Sequence, residues 1–512
     1  MTAAAATAVA FIIITIISGI TSSLVPGDSL CFNSPNPSSC KLIVSDAIVS
    51  TDLSTSNHLH VVKKIIARSM NLSEVTISTA TVDGRSSPAV ADCTHLLELS
   101  FHRLFDSVTA IDAGEDEDVL TWLSSVLTYH ETCLVGLRDS DLTPIKTGVM
   151  ELKAMASAAL AVFNSGKVTW EKDESYVSPS VAVIPPWITD EFPNGEHLHP
   201  DTVVDVTGKG SFRTVQDAVN AAPENSKRRY VIHVRKGKYK ENVVVTRLKK
   251  NIMIVGDGMH RTIIIGHRNV VDGDTTFNSG TLISEGDNFI LQDIAVRNIA
   301  GAAKHQAVAV RISGDKTVIN RCLINAYQDT LYTHTNRQFV RDSIIAGTVD
   351  FIFGNAAVVF QNCKLISKLP MPHQKNVVTA QGRTDPNQNT GISIQLCQVI
   401  PSKNLAPVSG WIQSYLGRPW KKYSRTVYME SYIGGHIAAK GWLPWDGNFG
   451  LNTLFYGEYD NEGAGASTHG RVEWKGFKKM TDSSEATPFT VKSLIQGERW
   501  LGSTGVTFRS GL

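Results

Sequence analysis

Residues 316–367 read KTVINRCLINAYQDTLYTHTNRQFVRDSIIAGTVDFIFGNAAVVFQNCKLIS. Three runs inside this stretch, 316–326, 337–347 and 356–367, align with one another. Each passes from an aromatic residue or Val through apolar and polar residues to Cys or Ser, and then to two or three mostly apolar residues. Cys322, Ser343 and Cys363 hold one slot at intervals of 21 and 20 residues, and Asp293 is read into the same slot one run earlier. A repeat of about twenty residues carrying short strands is a solenoid signature. No long helix separates the strands, so the pattern predicts a parallel β-helix rather than a doubly wound sheet. Runs of the same texture lie at 230–239, 251–258, 261–269, 288–298 and 390–400. The segment 211–223 predicts one short helix that caps the open first coil, where a bare edge invites aggregation.

In such a fold, residues one coil apart stack about 4.8 Å apart. Gln306, Gln328 and Asp350 are spaced by 22 and 22 residues, and Asp329 precedes Asp350 by 21. Two amides and two carboxylates are therefore expected on one outer face. Two close Asp side chains do not ionise together easily, so one is expected ionised, as nucleophile or base, and the other protonated, as acid. Gln amides supply donors for a developing oxyanion. That is an acyl-transfer set, and no G-x-S-x-G elbow competes with it. The alternative for each residue alone is a turn-capping role.

Asp350 sits in GTVDFIFGN, 347–355, an otherwise small or apolar run where an unpaired carboxylate would be costly. Phe351 and Phe353 alternate with Ile352, which is expected to anchor the strand while Asp350 faces outward. Arg418, in LGRPWKK, is the expected bidentate partner of Asp350, and Trp420 offers a flat face to a sugar. His305, His334 and His373 lack metal-ligand spacing, so no metal is expected.

The rest of the chain has other textures. The first twenty residues carry no charge and hold an apolar core from 9 to 17, too short for a span of about twenty residues, and read as a secretory signal or signal anchor. From about 50 to 165 the period is helical. In HLLELSFHRLF, Leu97, Phe101, Leu104 and Phe105 form one expected apolar face. Four such segments predict a four-helix bundle. Of the seven Cys, Cys31 with Cys40 and Cys93 with Cys133 are the simplest pairs for this part. Cys363 and Cys397 either bond across one coil or stay buried thiols, with Cys322 left over. Residues 172–200 carry prolines without helical period and read as a linker. The expected layout is 1–24 signal or anchor, 25–168 bundle, 169–200 linker and 201–512 β-helix. A formal net charge of +1 gives no case for a nucleic-acid partner. Asn71-Leu-Ser is a glycosylation sequon compatible with export.

The motifs HQAVAVR, YQDTLY, GTVDFIFGNA, VTAQGRTDPNQNTG, LGRPWKKYSRTV and GWLPWDGNF resemble those of the plant pectin methylesterase family. The resemblance runs from about residue 203 to 512. The N-terminal part resembles, more loosely, the pectin methylesterase inhibitor domain, the layout of the precursor type with an inhibitor-like pro-region. The resemblance implies a right-handed, pectin lyase-like parallel β-helix acting on methyl-esterified homogalacturonan without a cofactor. It implies Asp350 as nucleophile, Asp329 as acid and base, Gln328 at the transition state, and Gln306, Arg418, Trp420 and Thr276 as substrate-binding or supporting residues. Tyr332, Phe353 and Trp442 would line the groove. It further implies secretion to the cell wall, intramolecular inhibition by the pro-region, and inhibitor proteins as partners. The sequence departs from the family pattern at Ser343, where many members carry Cys. It also has no Lys or Arg between Lys172 and Lys209, so the usual dibasic processing site is missing. A chain-cleaving lyase or glycosidase on the same fold is the alternative, since paired Asp also serve glycosidases.

Overall fold

A computed structural model describes residues 29–49, 57–82, 87–138, 140–166 and 199–512. The expected signal segment, most of the linker and its processing region lie outside the described residues. Among the described residues, no helix is long and apolar enough to cross a membrane.

The N-terminal part is helical: α1 (Pro37–Val49), α2 (His58–Val82), α3 (Pro88–Ala113), α4 (Asp116–Gly136) and α5 (Thr143–Ser165). Four long helices match the expected bundle, and α1 is an extra short one. Local chemistry marks the ends of α3. Ser87 accepts a hydrogen bond from the Val90 amide, Pro88 opens the first turn, and Gly114 closes the last in the left-handed region at φ 73°. Disulfides join Cys31 to Cys40 and Cys93 to Cys133, as the neighbour pairing predicts.

The expected apolar face of α3 is only partly right. Leu97 and Leu104 are buried, but Phe105 is 60% exposed. The helix instead turns Ser100, Arg103 and Ser107 inward. Arg103 is spent on an ion pair with Asp287 of the β-helix, so this face meets a polar surface as well as an apolar one.

Residues 202–480 hold the parallel β-helix. Its strands form three parallel sheets of eleven, seven and eight members, the central coils giving one strand to each sheet and the end coils contributing to fewer. The short helix α6 (Val215–Ala221) caps the first coil, with Val215, Ala218 and Val219 in the core. In the eleven-stranded sheet, Thr317–Asn320 pairs with Gln338–Arg341, which pairs with Val358–Gln361. That register confirms the shared slot of Cys322, Ser343 and Cys363 but removes Asp293 from it. Asn320 pairs with Gln292, so Ile294 is the true partner of Cys322. Asp293 belongs one position earlier, with Arg321, Asp342 and Asn362, all at φ between 49° and 55°. Those residues turn the chain from one sheet to the next in the left-handed conformation, which Asn and Asp tolerate well.

Cys322, Cys363 and Cys397 are buried free thiols. The Cys363 amide donates to Cys397 Sγ at 3.3 Å, and the Cys322 amide donates to Ser343 Oγ at 3.0 Å. The slot thus runs as a ladder of side chains that accept from the coil before, and Ser substitutes for Cys without loss of that bond.

Candidate active site

The seven-stranded sheet carries the site. Val310–Ile312, Leu331–Thr333 and Ile352–Gly354 are successive strands of it. Val310, Leu331 and Ile352 point into the core, while Arg311, Tyr332 and Phe353 form the adjoining row. Tyr332 and Phe353 stack with centroids 4.2 Å apart and make an aromatic floor. Asp329 and Asp350 sit two residues before Leu331 and Ile352, at the corner entering this sheet, at φ 61° and 50°. They are one coil apart in the same register of 21. Gln306 falls one residue short of it, since the Ala307 amide is the group that meets the Gln328 carbonyl, at 3.3 Å.

Glycines make the Asp350 corner possible. A side chain at Gly347 would strike Phe351 and Thr330, and one at Gly354, where φ is 129°, would strike the Thr333 carbonyl of the previous coil. Phe351 corrects the simple alternation. It lies with Ile352 in the inner core, and only Phe353 faces out, because the left-handed residue before it resets the strand's pleat.

Asp350 is 5% exposed and Asp329 8%. Arg418 grips Asp350 in bidentate fashion, Nε donating to Oδ1 at 2.8 Å and Nη2 to Oδ2 at 2.6 Å. Arg418 follows Gly417, whose strand is two coils further along the sheet and pairs through Thr379. Burial pushes the Asp350 carboxyl up, and the guanidinium pulls it only part of the way back, so it stays above its ordinary value. Burial pushes Asp329 well above the usual carboxylate range, and the Asp350 charge adds to it. The two acids are thereby split: Asp350, with a guanidinium partner, is the easier to ionise, and Asp329 is the one that holds its proton more strongly.

Gln306 and Gln328 are half-buried, and their amides have no protein partner among the described residues. Trp420 packs edge-on to Phe353 and Tyr332, with centroids 6.0 and 6.5 Å away. Thr276 is half-buried in the 267–281 loop, next to Phe277, whose ring lies 3.6 Å from the Arg311 guanidinium. Trp442 does not line the groove. It is 1% exposed, stacked on Tyr456 at 4.1 Å, with its indole N–H donating to Glu458. Its bridge to Gly417 draws it inward, and Trp445 takes the outer place, its ring 4.4 Å from the Arg418 guanidinium. Both tryptophans lie in GWLPWDGNF, and spacing alone does not say which one turns out. Arg311 is also absent from the sequence-based set, although it ends the motif HQAVAVR and belongs to the row of Tyr332 and Phe353.

The bundle lies over this surface. One apolar cluster joins Leu96, Tyr129, Cys133 and Leu152 of the helices to Tyr332 and Phe353. Thr132 Oγ1 and His334 Nε2 are 2.9 Å apart, and Asn355 donates to Thr128 at 2.8 Å. Glu131 of α4 takes Lys421 Nζ at 2.5 Å and Lys153 Nζ at 2.6 Å. His95 and Arg311 both meet Glu285, whose carboxyl is held down to about 2 by these two cations although burial opposes it.

Comparison with known proteins agrees with both parts. The pectinesterase family model matches residues 201–498, and the plant invertase/pectin methylesterase inhibitor model matches 28–162. Pectinesterase 2.2 of Solanum lycopersicum is 49% identical over 503 residues, covering 94% of this chain and 90% of that protein. Pectinesterase/pectinesterase inhibitor 18 of Arabidopsis thaliana is 47% identical, covering 96% and 91%. The solved pectin methylesterase from carrot is 55% identical with a TM-score of 0.61, covering 64% of this chain and all of the carrot one. With the catalytic family's model matched over more than half its length, this chain belongs to the pectinesterase family, as a plant-type member with an inhibitor-like helical region at its N-terminus.

Proposed function

We propose that the chain demethylates homogalacturonan through Asp350, behind a bundle that restrains it. The reaction is hydrolysis of a galacturonate methyl ester to methanol and a free acid. Asp350 attacks the ester carbonyl carbon, and the Gln328 and Gln306 amides donate to the oxyanion that forms. Collapse expels methoxide, which takes the proton of Asp329 and leaves as methanol. An acyl group then remains on the Asp350 oxygen. Asp329, now ionised, takes a proton from water as that water attacks the acyl carbon. Galacturonic acid leaves, and Asp350 and Asp329 return to their starting states. Trp420 and Thr276 contact the sugar chain, with Tyr332 and Phe353 beneath it.

The observation that carries this reading is the asymmetry of the two acids, one gripped by Arg418 and the other buried without a cation of its own. In this reading 201–512 is the catalytic domain and 25–168 the restraining pro-region, preceded by a signal or anchor and joined by the linker 169–200. The docked helices support intramolecular inhibition, and the same groove would receive separate inhibitor proteins. The site of action is the extracellular cell wall. Asp350→Asn, made in residues 201–512, is expected to abolish methanol release from methylated pectin with an unchanged far-UV circular dichroism spectrum. Retained methanol release would remove Asp350 as nucleophile, and new reducing or unsaturated ends would point to chain cleavage instead.

A further inference from the structure

One lysine of the β-helix grips the chain just ahead of Gln328 and Asp329. Lys368 follows the strand Lys364–Ser367 of the eight-stranded sheet. In that sheet Asn325 pairs with Ala346, which pairs with Ile366. Lys368 therefore stands two coils beyond Asn325, about 10 Å along the axis. Its side chain spans that gap. Nζ donates to Asn325 Oδ1 at 2.9 Å and to the Ala326 carbonyl at 2.7 Å, and it lies 3.5 Å from the centre of the Tyr327 ring. The coil between ends its strand in Ala346 and Gly347, and the Gly347 carbonyl accepts from the Lys368 amide at 2.7 Å. Two oxygens and a ring face thus take the three N–H groups of the ammonium.

This cation has no acid to balance it. Among the described residues the charged group that acts on it is Arg297, which holds the place of Asn325 one coil earlier and repels it. Burial and Arg297 together bring its pKa down to about 8. A half-buried, unpaired lysine beside a second cation is a poor choice for stability alone. What it holds is the approach to the reacting groups. The Tyr327 carbonyl accepts from Thr330 Oγ1 and from the Thr348 amide, both at 3.0 Å, and the Asp329 amide donates to the Val349 carbonyl at 3.0 Å. Those bonds fix one side of the turn, and Lys368 fixes the residues that enter it. The Gln328 amide has no protein partner of its own, so its aim depends on the backbone that carries it.

We propose that Lys368 is a positioning residue for the esterase reaction, locking residues 325–327 so that the Gln328 amide meets the oxyanion formed on the ester carbonyl. The proposal rests on the esterase reading above. The oxyanion exists in the transition state and not in the bound ester, so the lysine acts on kcat and leaves KM alone. It acts as the ammonium. A neutral amine has one donor fewer and no charge to set over the Tyr327 ring.

The test is methanol release by the full-length chain. The side-chain contacts of Lys368 run to the β-helix alone, so the bundle restrains every variant alike. Lys368→Met should lower kcat about ten- to a hundredfold, the scale of a misplaced donor, with KM within about twofold. Gln328→Ala should lower kcat by at least as much. Lys368→Met added to it should cost less than about threefold more, because the lysine works through that amide. Lys368→Arg keeps the charge and the donors and should stay within about threefold of the unaltered chain at about pH 7. Its kcat relative to the unaltered chain should then climb above about pH 8, where Lys368 gives up its proton and an Arg does not. That comparison stands even where the Met variant fails to fold. An unchanged kcat in Lys368→Met, a loss carried by KM, full additivity with Gln328→Ala, or a flat Arg ratio through pH 8 would each overturn the role of Lys368 alone. An intact rate in Gln328→Ala would instead remove the oxyanion assignment on which it rests, so the two readings fail separately.

Discussion

Replacing Arg418 by Gln is the sharpest probe of how Asp350 is kept ionised. Asp350 is almost fully buried, and burial alone raises its carboxyl. The two hydrogen bonds from Arg418 are what oppose that rise. An adjacent guanidinium lowers an Asp by about 1–3 pKa units, so its loss should raise Asp350 by that amount. A carboxylate that must be ionised to attack then loses activity on the acid side. Well below the new value, the ionised fraction drops about 10- to 1000-fold, at tenfold per unit. Near the alkaline end much of the rate should return, because the nucleophile itself is intact. The assay is methanol release by residues 201–512 across pH, with Arg418→Lys alongside. Lys keeps the charge but not the fork, so its acid limb should shift less while its maximum still falls. A uniform loss at every pH, or no shift in the acid limb, would refute the view that Arg418 sets the charge of Asp350.

Two further predictions concern the bundle. Arg103 is 6% exposed and pairs with Asp287 across the interface, and breaking a buried pair costs about 3–5 kcal/mol. Arg103→Ala should therefore raise methanol release by the full-length chain toward that of residues 201–512, while leaving the latter's own rate untouched by definition. An unchanged full-length rate would show that this contact does not hold the cover down. The cover should also loosen as pH rises. His95 is raised above its ordinary 6.5 by the Glu285 hydrogen bond, although burial opposes this. A raised group favours docking below its ordinary value and loses that contribution as pH climbs through the docked value. Asp92 and Asp385, raised chiefly by burial, act in the same direction. Glu131 works oppositely: two lysines hold it below 4.5 against burial, so its contribution is lost on acidification. Docking should be tightest between about pH 4.5 and 6.5. The ratio of full-length to 201–512 activity should rise from pH 6 to pH 8, and a falling ratio would contradict this balance.

The sequence made the architecture legible because a coil repeats its chemistry. Cys322, Ser343 and Cys363 announce the period, and the same period brings Asp329 to Asp350. The errors arise where the chain leaves the strand. Asp293 was one position out because left-handed corner residues interrupt the alternation, and Phe351 turned inward for the same reason. Trp442 and Trp445 are three residues apart in an irregular loop, where no period tells the core ring from the one on Arg418. Phe105 and Arg103 show a different limit. A helix that packs on its own bundle and on a second, partly polar domain buries two faces, and a single amphipathic stripe describes only one of them.

Methanol release from highly methylated pectin, measured side by side for the full chain and for residues 201–512 at about pH 5.5, tests the whole account at once. Residues 201–512 should release methanol and acid in equal amounts with no new reducing ends. The full chain should be slower by about a hundredfold, equivalent to about 2.7 kcal/mol in favour of the covered state. Equal rates would contradict the restraining role of the helices, and chain cleavage without methanol would contradict the esterase itself.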